Sequence, residues 1–103
     1  MRKQCHNPYM PLWEHVPDGE PHVFGDRLYV YGSHDLENGN EFCEQDYVCW
    51  SAPVTDLSDW HCDGVIYKKE QDPYNQDALP LYAPDVVKGP DGRYYLYYCI
   101  KFQ

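Results

Sequence analysis

One pattern occurs twice in this chain, and the duplication constrains the fold more than any other feature. Glu20-Pro21-His22-Val23 is followed by Asp26-Arg27 and then by Tyr29 and Tyr31. Ala83-Pro84-Asp85-Val86 is followed by Asp91-Gly92-Arg93 and then by Tyr95 and Tyr97, with Pro21 and Pro84 63 positions apart. Each copy reads as a short strand, a tight turn and a second strand of alternating character. In the first copy the turn is Gly25-Asp26, with Leu28 and Val30 on one face and Tyr29 and Tyr31 on the other. Ionisable pairs stand at both ends of this hairpin, Asp18 with Glu20 and His34 with Asp35. Titratable groups on a rigid hairpin can form a site, and the same pattern also describes an ordinary hairpin with solvated charges at its ends.

The rest of the chain fits around this repeat. Residues 1–19 are polar, and Pro8, Pro11 and Pro17 hold them extended. Residues 35–46 form an acidic loop with a turn signal at Asn38-Gly39. Tyr47 to Ala52 and His61 to Tyr67 are the third and fourth strands, separated by a turn through Asp56-Leu57-Ser58-Asp59-Trp60. Residues 68–81 are polar loop, and a second strand pair begins at Tyr82. No window of eleven or more residues has a 3.6-residue period, so the chain is expected to be nearly all β. A repeat of about four strands is the unit of a β-propeller blade, although 63 positions exceed the ~40–50 of common blade repeats. On that reading residues 20–67 are one blade, residues 82–103 begin the next, and residues 1–19 are an extended lead-in. A propeller closes with at least about four blades, so the chain is short for its fold. The strand from Arg93 to Ile100 then becomes an open, tyrosine-rich edge through which the isolated chain is expected to self-associate.

Charge and composition remove several function classes. With 17 Asp and Glu against 8 Lys and Arg, the net charge of −9 argues against nucleic-acid binding and against an anionic membrane surface. No window approaches the ~18 apolar residues of a membrane helix. Eleven tyrosines, three tryptophans and three phenylalanines favour strands and also supply stacking faces for sugars. Met1-Arg2-Lys3 is followed by Cys5-His6-Asn7-Pro8 rather than by an apolar signal core. Five cysteines without CxxC spacing suit reduced thiols, so a cytoplasmic protein is expected. Cys43, Cys49, Cys62 and His61 are zinc-ligand types, but their spacing matches no common zinc module.

The motifs resemble the N-terminal part of glycoside hydrolase family 43, the five-bladed β-propeller arabinofuranosidases, xylosidases and arabinanases. The residues that carry the resemblance are Asn7-Pro8, Gly19-Glu20-Pro21-His22-Val23, Tyr29-Val30-Tyr31-Gly32-Ser33-His34-Asp35, Trp50-Ser51-Ala52-Pro53, Asp56-Leu57-Ser58-Asp59-Trp60, Leu81-Tyr82-Ala83-Pro84-Asp85-Val86 and Asp91-Gly92-Arg93-Tyr94-Tyr95-Leu96-Tyr97. The resemblance implies an all-β propeller fragment of about one and a half blades. It also implies inverting hydrolysis of arabinose- or xylose-containing saccharides, in which a base activates water and an acid protonates the leaving oxygen. Glu20 stands at the position of the base, where the family has aspartate. Asp85 stands at the position of the carboxylate that orients the acid and raises its pKa. The acid itself belongs to a third blade, beyond Gln103, so no appreciable glycosidase activity is expected of the isolated chain. His22, opposite Asp85 in the repeat, and His34 are expected to line the substrate funnel. Trp50 reads either as a sugar platform or as packing between blades, and Asp35 as a turn cap. No cofactor or metal is expected. The resemblance implies a structural calcium only in a complete propeller, and this chain shows no ligands for one. The alternative is a non-catalytic carbohydrate-binding or assembly module built from the same blades.

Overall fold

The computed structural model describes residues 9–11, 13–40 and 43–101. Asn7-Pro8 and Cys5 lie outside them. Six strands follow in chain order: β1 (Glu20–Phe24), β2 (Arg27–His34), β3 (Gln45–Pro53), β4 (His61–Tyr67), β5 (Leu81–Lys88) and β6 (Tyr94–Ile100). β1 to β4 form one antiparallel sheet in sequential order, and β5 and β6 form a second. Among the described residues the fold is all-β apart from one 3₁₀ turn, Lys69–Gln71, in the loop before β5. No helix among the described residues is long and apolar enough to cross a membrane.

The first hairpin forms where alternation and turn chemistry predict it. Gly25 takes φ +65°, a left-handed conformation that costs glycine nothing. The resulting register sets Glu20 opposite Tyr31, His22 opposite Tyr29 and Val23 opposite Leu28. Directly opposed residues of an antiparallel pair share a face. His22, Phe24, Tyr29 and Tyr31 therefore lie on one side of the sheet, and Val23, Leu28 and Val30 on the other.

β3 is the centre of the core. Tyr47 to Ala52 are buried without interruption, because β2 and β4 flank the strand and both of its faces are covered. One face is covered by the second sheet. The fully buried Tyr47 donates its hydroxyl to the carbonyl of Tyr82 at 2.5 Å, and its ring meets Tyr98 edge-on at 6.1 Å. Tyr98 in turn donates to Asp72 at 2.7 Å and shares a hydrogen bond with the Tyr67 hydroxyl at 3.0 Å. Leu81, also fully buried, adds about 2 kcal/mol of apolar burial at this junction. The other face is covered by the segment before β1. Trp13 lies against Trp50 at 5.9 Å, and Val16 presses so closely on Gly32 that a Cβ there would stand 2.1 Å from its Cγ1.

The loop of residues 68–81, expected to be simply polar, is organised from within. Asn75 is buried and closes it with two hydrogen bonds, from its own amide to the Leu79 carbonyl and from the Leu79 N–H to its side-chain oxygen, both 2.9 Å.

Candidate functional site

β1 and β5 begin with the two halves of the repeat, and the packing of the sheets brings those halves together. His22 Nε2 lies 2.6 Å from Asp85 Oδ1, with the side chains 32% and 58% exposed. The pairing joins positions that are equivalent in the proline-anchored alignment of the two copies. Asp85 also receives its donors locally, since the Val86 N–H donates to the same carboxylate oxygen at 2.8 Å. The hydrogen bond from His22, followed by that from Val86, holds the Asp85 carboxyl below the usual aspartate range. Asp85 is therefore a solvent-facing, ionised carboxylate with one side anchored.

Glu20 is exposed at the first position of β1, two residues before His22. The i, i+2 spacing of a strand puts it on the same face as His22, roughly 7 Å along the chain. Asp18 precedes it in a left-handed conformation, φ +54°, which bends the chain into the strand and sets a second carboxyl beside this end of the sheet. Below His22 the face is aromatic. His22 stacks on Phe24 at 5.6 Å, Tyr29 stacks on Tyr31 at 6.0 Å, and Tyr94 reaches across from β6 to meet Phe24 at 5.0 Å. Burial and the neighbouring Cys49 thiol push the Tyr31 hydroxyl up to about 12, so it stays a neutral donor.

His34 and Trp50 belong to a different group of side chains. Both converge on Glu14, a residue the sequence does not single out. Glu14 Oε1 lies 2.5 Å from His34 Nε2 and accepts the His15 N–H at 2.9 Å, while Oε2 accepts the Trp50 indole N–H at 2.7 Å. The Glu14 side chain is only 3% exposed. Trp50 is buried with its indole N–H committed to Glu14 and its ring against Trp13, so here it packs rather than presenting a face to solvent. Hollows of about 470 and 280 Å³ open beside Glu14 and His34. The signal for this group is faint in the sequence: one glutamate between Trp13 and Val16 in a segment that otherwise reads as extended and polar.

Asp35 accepts the Cys43 N–H at 2.7 Å, which closes the acidic loop as a turn-capping aspartate does. The zinc-ligand types are not gathered. Cys43 and Cys49 are buried, Cys62 is exposed, and no group of three or more His, Cys, Asp or Glu among the described residues could hold a metal ion.

Over 101 residues, 97% of its length, the chain is 64% identical to a xylosidase/arabinosidase of Thermoclostridium stercorarium. Its relatives are xylosidase/arabinosidases. It is also 35% identical over 101 residues to xylosidase/arabinosidase 43A of Humicola insolens and 32% identical over 102 residues to a xylosidase/arabinosidase of Bacteroides ovatus. The chain spans only 21%, 29% and 30% of the lengths of these three relatives. No family model matches it, and no solved structure matches it.

Proposed function

We propose that this chain is the N-terminal part of a family 43 glycosidase that hydrolyses arabinose- or xylose-containing saccharides with inversion. In this reading β1 to β4 are one blade of a five-bladed propeller and β5 with β6 begin the next. The observation that carries the proposal is the 64% identity to a xylosidase/arabinosidase across a segment that includes both openings of the repeat. Glu20 acts as the base that takes a proton from the attacking water. Asp85 raises the pKa of a general acid supplied by a later blade, which a neighbouring negative charge does by disfavouring ionisation of the acid. His22 supports that role, because its hydrogen bond keeps Asp85 ionised. Glutamate at the base position reaches one methylene further than aspartate, and the left-handed bend at Asp18 helps to set where that longer side chain begins.

The test is a chimera in which this chain replaces the matching segment of the Thermoclostridium relative, assayed on aryl arabinofuranosides and xylosides. The chimera should hydrolyse them with inversion, while the isolated chain should give no turnover. Glu20→Gln should lower kcat by about 10²–10⁴. Asp85→Asn should lower kcat and move the basic limb of the pH profile downward, because the acid would lose its neighbouring charge. Asp18→Asn should leave most activity. If Asp18→Asn silences the enzyme and Glu20→Gln does not, Glu20 is not the base. A folded but inactive chimera that still binds arabino- or xylo-oligosaccharides would overturn hydrolysis in favour of a binding module.

A further inference from the structure

Glu14 and His34 stand apart from the His22–Asp85 group. His34 ends β2, three residues beyond Tyr31, the partner of Glu20, and pairs with Gln45 at the start of β3. It therefore lies roughly 10 Å along the strand from the level of Glu20. The carboxylate that holds His34 also holds the Trp50 indole, and Trp50 is opposite Val30, on the other side of the sheet from His22 and Tyr29.

The two members of this pair differ in access: the Glu14 side chain is 3% exposed and that of His34 19%. A carboxylate that receives the Trp50 indole N–H and the His15 N–H is an acceptor, so His34 Nε2 donates the remaining bond. With the proton fixed on Nε2, Nδ1 of the neutral ring is an acceptor, and no hydrogen bond among the described residues engages it. A buried group that orients a half-open one in this way is how a binding side chain is held ready for its ligand.

The imidazole lines the hollow of about 280 Å³ together with Trp13, Asp35, Glu37 and Gln45. Trp13 is 67% exposed and its ring lies against Trp50, so Glu14 steadies it through the indole it holds. An exposed indole beside hydrogen-bonding side chains suits a sugar ring, which has an apolar face and hydroxyl edges. Among the described residues the lining has carboxylates and no Lys or Arg, which opposes an anionic ligand and suits a neutral one. These groups come from the segment before β1, the end of β2, the acidic loop and the start of β3, so each belongs to this chain.

We infer that Glu14 is the positioning residue of a second saccharide subsite, in which His34 Nδ1 accepts a hydroxyl of a neutral sugar residue stacked on Trp13. The subsite takes a residue of a longer saccharide, away from the bond that Glu20 and Asp85 would serve. Its ligand class rests on the glycosidase reading; the orientation of His34 by Glu14 does not.

Two substitutions in the chimera with the Thermoclostridium relative test it. His34→Gln keeps a donor for Glu14 and removes the second nitrogen, whereas His34→Asn keeps a polar group near the place of Nδ1 and gives up Glu14. Thermal denaturation should rank the glutamine variant above the asparagine variant. Affinity for xylotriose and arabinotriose, measured by calorimetry, should rank them the other way, with His34→Gln weakened about tenfold. Trp13→Ala should weaken binding as well. If either His34 variant does not fold, the ring ¹⁵N resonances of His34 in the unsubstituted chimera decide. The Nδ1 shift should move on adding xylotriose, and Glu14→Gln, which offers an N–H to Nε2, should exchange the protonated and bare ring nitrogens. The same ranking in stability and affinity would overturn the inference, as would an Nδ1 shift that xylotriose leaves unmoved because the rest of the enzyme fills the hollow. So would a galacturonic acid trisaccharide that moves the shift at lower concentration than xylotriose does. A chimera in which xylotriose moves the Nδ1 shift without any turnover of aryl glycosides supports the subsite and counts against the hydrolase reading alone.

Discussion

Replacing Glu14 with alanine should destabilise the protein by about 3 kcal/mol. Three donors converge on this carboxylate: His34 Nε2 at 2.5 Å, the Trp50 indole at 2.7 Å and the His15 N–H at 2.9 Å. Removing it strands the buried indole N–H, at a cost of about 1–3 kcal/mol for an unsatisfied buried donor. The contact with His34 is lost as well, and removing one member of a buried polar pair costs about 3–5 kcal/mol in total. The lower end applies because His34 keeps access to water, its side chain being 19% exposed. Against a stability of roughly 5–15 kcal/mol for a chain this long, that loss is large. In urea, with a slope of about 1–3 kcal/mol/M, the midpoint should fall by roughly 1–3 M, followed by tryptophan fluorescence. The decisive measurement is a double-mutant cycle with Trp50→Phe. Both single changes alter packing, but only their coupling reports the indole-to-carboxylate bond, and it should be at least about 1 kcal/mol. Glu14→Ala costing under about 1 kcal/mol, or a cycle additive to within about 0.5 kcal/mol, would refute the view that Glu14 locks the segment before β1 onto the sheet.

Gly32→Ala should cost about 1–3 kcal/mol by overpacking against Val16, and Val16→Ala should recover part of that loss; thermal denaturation of the double variant shows whether it does. Asp85 titrates below its ordinary value of 3.8 in the folded protein, so its contribution to stability is present above that value and is lost as pH falls below 3.8 through the folded-state value. His22→Ala should return the Asp85 carboxyl toward 3.8 in a ¹³C NMR titration and flatten that acid-limb loss; an unmoved titration would show that His22 is not the cause. Burial pushes the Cys49 thiol up from 9.0 to about 12, so stability from its neutral form is complete below pH 9 and is lost as pH rises toward 12. Denaturation midpoints measured from pH 8 upward should fall accordingly, and Cys49→Ala should remove part of that slope.

The all-β character and the positions of the strands were legible because the signals for them are local. Alternation of Leu28 and Val30 with Tyr29 and Tyr31, the left-handed glycine at Gly25 and the prolines before β1 each act within a few residues. The repeat made the equivalence of His22 and Asp85, 63 positions apart, legible, but not their hydrogen bond, which exists because β1 and β5 pack side by side. Glu14 has no counterpart in the repeat and no local pattern. Its contacts with His34 and Trp50, 20 and 36 positions away, exist only because the segment before β1 folds back across β2 and β3. The same is true of Tyr47, whose hydroxyl reaches the carbonyls of Tyr82 and Cys99 in the other sheet. In sequence Trp50 reads more readily as packing between blades than as a stacking platform; its burial against Trp13 and its bond to Glu14 are properties of the assembled sheet. Period and turn chemistry are written into short windows of the chain, and they determined the strands. Which buried polar groups find one another depends on how whole sheets pack, and only the tertiary structure decided that.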